Sequence, residues 1–95
     1  MNQKIRDALC DMGYEEAVVF DGPDFDEAIV GVSEEGRVIY DFNMMVHCLR
    51  ISEGMSEIEA IEFIEYNSIR ALPYVENAPI VMTRLRLEDD DQQSE

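Results

Sequence analysis

Residues 28–40 constrain the fold of this chain more than any other stretch. Ala28–Ser33 and Arg37–Tyr40 are β-favourable runs joined by Glu34-Glu35-Gly36. A glycine closing so short a connection supplies the positive φ of a type I turn ended by a bulge, so the segment reads as a β-hairpin turning at Glu35-Gly36. Ala28, Val30 and Val32 alternate onto one face of the first strand. On its partner Val38 and Tyr40 share one face, and Arg37 and Ile39 the other.

Helices follow at once. Asp41 is placed to cap a helix in which Phe42, Met45, Val46 and Leu49 form an i, i+3, i+4, i+7 stripe, and Gly54 ends it. Ser56 and Glu59 then spell a capping box, opening a second helix that should run to about Leu72, where Pro73 forbids continuation. On its helical wheel Ala60, Phe63, Ile64, Asn67 and Ala71 gather inward. Glu59, Glu62 and Glu65 gather on the solvent side.

The flanks are simpler. Asn2 is a fair cap for a first helix with Ile5, Ala8, Leu9 and Met12 on one face, closed by Gly13. Ala17–Phe20 is a brief apolar run that reads as a strand, and Asp21-Gly22-Pro23-Asp24 breaks regular structure. Ile80–Leu87 reads as a last strand, with Val81, Thr83, Leu85 and Leu87 on one face and Arg84 and Arg86 on the other. The order α-β-β-β-α-α-β predicts an α+β domain, with a three- to four-stranded, mostly antiparallel sheet and helices on one face. One compact domain is expected over residues 1–88, followed by an acidic, disordered tail over 89–95.

Charge narrows the function. The chain has 22 acidic and seven basic residues, a formal net charge of −15, against an ordinary hydrophobic content of 46%. Direct binding of nucleic acid or of an anionic membrane needs clustered Lys and Arg, and both are excluded as expectations. Residues 15–36 hold eight carboxylates and no basic residue. A second acidic block covers 53–79. A small domain needs a net charge of only about 2–8 for solubility, so complementarity to a basic surface is one physical use of the excess.

Reactive constellations are thin. His47 is the single histidine and falls opposite the apolar stripe of its helix, so any Ser-His-Asp or Cys-His relay would have to be built around it. The five glycines are scattered and form no phosphate loop. Asp21, Asp24, Asp26 and Glu27 could gather oxygen ligands, but Asp24-x-Asp26 is followed by Ala28 and misses the EF-hand spacing. Cys10 and Cys48 make no metal or redox pair and are expected to be reduced, buried or half-buried apolar residues. Asn67, polar on a buried face, is expected to fasten a neighbouring loop. No catalytic residue, metal or cofactor is assigned. An N-terminus without an apolar leader places the chain, as an expectation, in the cytoplasm.

The runs AIVGVSEEGRVIYDFNMMV and EAIEFIEYNSIRALPYVENAPIVM span roughly residues 26–82. In them Glu59, Ala60, Glu62, Tyr66, Asn67, Arg70, Pro73 and Pro79 carry a resemblance to a family of small acidic proteins. That family is encoded by prophages and conjugative elements of Gram-positive gut bacteria. The resemblance assigns no catalytic residue. It implies a setting, a mobile-element product inside a bacterial cell, where small acidic proteins include anti-restriction and anti-CRISPR inhibitors.

The expectation is therefore a non-enzymatic acidic protein that blocks the nucleic-acid groove of a host defence nuclease. Its partner-binding residues would be Glu59, Glu62, Glu65 and Tyr66, with Asp21, Asp24, Asp26, Glu27, Glu34 and Glu35. The alternative is an assembly module that forms a homodimer, or binds another protein, through Tyr66, Ile69 and the last strand. A metal-assisted or acid/base enzyme ranks third.

Overall fold

The computed structural model describes residues 3–14, 16–20 and 25–85. The tail over 89–95, the proposed cap Asn2 and the Asp21–Asp24 stretch lie outside these residues. Among the described residues the chain forms an α+β fold. Its three α-helices are α1 (Gln3–Asp11), α2 (Phe42–Glu53) and α3 (Glu57–Phe63), and its strands are β1 (Ile29–Val32), β2 (Val38–Asp41) and β3 (Ile80–Met82).

Helix α1 ends as a glycine stop should. Gly13 takes φ +87°, its N–H donates to Cys10 O and the Tyr14 N–H to Leu9 O at 2.7 Å, a Schellman closure. Only part of the expected stripe is used: Leu9 is buried and Ile5 packs against the core, while Ala8 and Met12 face solvent. Residues 17–20 form no strand, which corrects the expectation. The Phe20 N–H donates to the Tyr40 hydroxyl at 3.1 Å, and the Phe20 ring packs on Tyr40 and Phe25. This backbone spends a donor on a side chain rather than on a ladder, and apolar sequence alone cannot distinguish the two.

The hairpin forms as read. Ser33 and Arg37 close it through Ser33 N–H to Arg37 O at 2.8 Å, and Ser33 Oγ accepts from the N–H groups of Glu35 and Arg37. Gly36 must be glycine for two reasons. Its φ is +86°, and a Cβ there would lie 3.0 Å from the Tyr14 ring. The strand faces differ on one side. A bulge between Ile29 and Gly31 breaks the alternation, so Ala28, in a 3₁₀ turn before β1, is buried while Val30 is 45% exposed. Val38 and Tyr40 do point inward.

Asp41 closes β2 and opens α2: its Oδ1 accepts from the N–H groups of Asn43 and Met44. Met45, Val46 and Leu49 are buried, and Gly54 stops the helix at φ +69°. The capping box of α3 is complete, with Glu59 N–H donating to Ser56 Oγ and Ser56 N–H to Glu59 Oε1 at 3.0 Å. The helix then departs from expectation. It does not run to Leu72 as an α-helix; a π-helix covers Ile64–Ile69, with Arg70 N–H donating to Glu65 O, and a 3₁₀ turn covers Leu72–Tyr74. Wider turns change which residues face inward. Ala60, Ile64 and Ser68 are buried at four-residue spacing, whereas Asn67 and Ala71, expected inside on a 3.6 period, are exposed. Asn67 fastens no distant loop: its Nδ2 donates to Phe63 O within its own helix.

The sheet is mixed. In the order β1-β2-β3, β1 and β2 are antiparallel, but β3 runs parallel to β2 with Ile39 opposite Ile80 and Asp41 opposite Met82. The expected strand to Leu87 ends at Met82. An arginine clamps each end of this short edge strand: Arg37 Nε donates to Ala78 O at 2.7 Å, and Arg84 Nε meets Asp41 Oδ2 at 2.8 Å.

Candidate anionic interface

Folding brings some of the expected carboxylates together and separates others. From Glu53 to Glu65 the chain has five glutamates and no basic residue. All five, at positions 53, 57, 59, 62 and 65, are exposed. Two local devices hold them in place. Gly54 turns the chain sharply at the end of α2, and the capping box begins α3 two residues later. Glu53 is thereby set beside the first turns of α3. Glu53, Glu59 and Glu62 line an open groove of about 520 Å³ together with Gly54, Met55, Phe63, Tyr66 and Asn67.

Glu59 has a second task. Its Oε1 is held by the Ser56 N–H, so its carboxylate is oriented as well as exposed. Among the described residues no basic side chain pairs with Glu53, Glu59 or Glu62. Tyr66 is 68% exposed, and the Arg70 guanidinium lies 4.8 Å from its ring centroid. Arg70 itself does not line the groove.

The other expected site residues lie elsewhere. Glu34 and Glu35 are exposed in the hairpin turn, where Glu35 pairs with Arg37 at 3.6 Å and is partly neutralised. Asp26 and Glu27 form the 3₁₀ turn before β1, and Glu27 borders a separate depression with His47, Cys48, Ile51 and Ser52. Asp21 and Asp24 lie outside the described residues. Ile69 packs against the core instead of facing a partner, while Ile58 remains 69% exposed. Sequence reasoning missed Glu53, Met55 and Phe63 as groove residues. The signal was present in Glu53-Gly54, a helix stop that folds the preceding carboxylate towards the next helix.

His47 is exposed, and among the described residues no three His, Cys, Asp or Glu side chains converge as metal ligands would. Neither cysteine is in a disulfide, as expected, and Cys48 is half-buried, but Cys10 is exposed rather than buried. Among the described residues no helix is long and apolar enough to cross a membrane. Comparison of the chain with protein-family models, curated proteins and solved structures returns no match.

Proposed function

We propose that this chain is a non-enzymatic anionic binding protein. Its concrete role is that of a phage or mobile-element inhibitor of a host nucleic-acid-binding defence enzyme, of the anti-restriction or anti-CRISPR kind. The observation that carries the proposal is the run of five exposed glutamates over residues 53–65, uninterrupted by any basic residue, with Glu57, Glu59 and Glu62 on the capped helix α3, Glu53 at the end of α2 and Glu65 in the π-helix that follows. Carboxylates held on rigid backbone meet the Lys and Arg of a phosphate-binding groove with little loss of entropy, and the nucleic acid is excluded.

The test is competition. Immobilised protein should capture nucleic-acid-binding proteins from a bacterial lysate at low salt and release them to added duplex DNA. The variant Glu59→Gln/Glu62→Lys/Glu65→Lys should capture them at least roughly ten-fold more weakly, given the coupling energies of close interfacial charge pairs. Capture that resists DNA and persists in the variant would remove the proposal. The second reading, an assembly module, is favoured by Ile58 and Tyr66, both left at the surface of the same helical segment. It would show instead as a concentration-dependent dimer insensitive to salt.

A further inference from the structure

We propose that residues 64–69 form a register switch, a segment with two helical windings that exchange Asn67 and Ile69 between core and solvent. The switch does not depend on the binding reading above. A π-turn is rare and closed by wide i→i+5 bonds, such as that from the Arg70 N–H to Glu65 O at 3.2 Å. Here it follows directly on a helix whose start is fixed by a complete capping box. The reason for the wide winding lies in the side chains it turns inward.

Along a regular α-helix Ile69 would stand about 140° round from the buried Ile64, on the solvent side, and Asn67 only about 60° from it, over the core. The π-turn exchanges them. Ile69 packs against the core, while Asn67 is exposed with its Nδ2 donating to Phe63 O at 3.1 Å. The observed winding therefore gives up α-helical bonding geometry to place an isoleucine, rather than an amide, against apolar neighbours. Each winding gains one term and loses the other, which is the condition for two states of similar energy. Both share the Ser56–Glu59 start, and the one-residue difference is taken up in the 3₁₀ turn at Leu72–Tyr74, none of whose residues is buried. The α-register has a defined surface: Ile69 falls about 20° from Ile58, itself 69% exposed, so that the two share one face.

The test uses the full chain and two variants of opposite consequence. Asn67→Leu favours the winding that turns residue 67 inward and should bring the α-register to dominance. Deletion of Asn67 makes Ile69 the fourth residue after Ile64, so an ordinary α-helix then turns it inward. Methyl NMR with a soluble paramagnetic agent reads the exposure of Ile69. Its relaxation enhancement should rise several-fold in Asn67→Leu and stay at the parent level in the deletion variant, with α-helical backbone shifts through the segment in both. The unmodified chain should show microsecond–millisecond exchange confined to this segment and the turn after it, by relaxation dispersion. An Ile69 that stays protected in folded Asn67→Leu would overturn the switch. So would flat dispersion across residues 64–69 in the unmodified chain, a measurement that needs neither variant to fold.

Discussion

Arg84 Nε lies 2.8 Å from Asp41 Oδ2, and the Asp41 side chain is only 3% exposed. One carboxylate therefore ends β2, caps α2 and anchors the chain leaving β3. Its two oxygens divide the work: Oδ1 takes the N–H groups of Asn43 and Met44, and Oδ2 takes the arginine. The consequence is directional. Binding residue 84 to residue 41, and Ala78 to Arg37 at the other end, holds β3 in register and parallel to β2.

The two roles of Asp41 should separate on mutation. Asp41→Ala loses the cap and should cost about 1–2 kcal/mol. Asp41→Asn keeps an oxygen for the cap but sets an amide N–H donor where Oδ2 accepted from Arg84, so it loses that ion pair and its hydrogen bond. The Arg84 side chain is 67% exposed, so solvent screening should hold the cost of Arg84→Ala below about 1 kcal/mol, close to that of Asp41→Asn. Urea denaturation of the three variants gives the order directly. Equal losses for Arg84→Ala and Asp41→Ala would mean that the ion pair, not the cap, dominates.

The capping box of α3 sets a limit on charge engineering. Glu59 is not a freely solvated carboxylate, because it accepts from the Ser56 N–H. Ser56→Ala should lower stability by about 1 kcal/mol, and Glu59→Lys should cost a comparable amount. Glu59→Gln retains an acceptor and should stay within about 0.5 kcal/mol of the parent. Thermal melts of the three variants check the ranking.

The π-helix makes adjacent residues opposite in their tolerance. Ser68 is 6% exposed and Asn67 is exposed, the reverse of what a 3.6-residue period from Ala60 implies. Ser68→Lys places an unpaired charge inside and should cost about 2 kcal/mol or more, whereas Asn67→Lys should stay within about 0.5 kcal/mol. Chemical denaturation showing the opposite order would restore a regular α-helix through this segment.

Tyr40 should contribute through its hydroxyl as well as its ring. Tyr40→Phe keeps the packing against Phe20 and removes the acceptor of the Phe20 N–H, at a cost of about 1 kcal/mol. Faster amide exchange at Phe20, with β2 amides little changed, would locate the effect in the segment before β1.

These elements also mark how far the chain could be read in advance. The hairpin, the Asp41 cap and the Ser56–Glu59 box were legible because each is decided by residues within a few positions of one another. The parallel seating of β3 was not, because its clamps join residues 37 with 78 and 41 with 84. The π-helix escaped because the wheel assumed α-helical turns, which misplaced Asn67 and Ala71. Residues 17–20 have strand composition but hydrogen-bond to a tyrosine hydroxyl, a choice made by the tertiary structure. At the candidate site the glutamates of α3 were legible and their grouping was not. Glu34, Glu35, Asp26 and Glu27 share the charge of Glu59 and Glu62 but border other parts of the molecule.

The most direct test of the anionic interface is the salt dependence of binding to a captured nucleic-acid-binding protein. The dissociation constant is measured from about 50 to 500 mM salt, over which the Debye length falls several-fold. The unmodified protein should weaken steeply and linearly on a log–log plot, and Glu59→Gln/Glu62→Lys/Glu65→Lys should bind more weakly with a visibly shallower slope. Identical slopes and affinities for the two proteins would contradict an interface made of these glutamates.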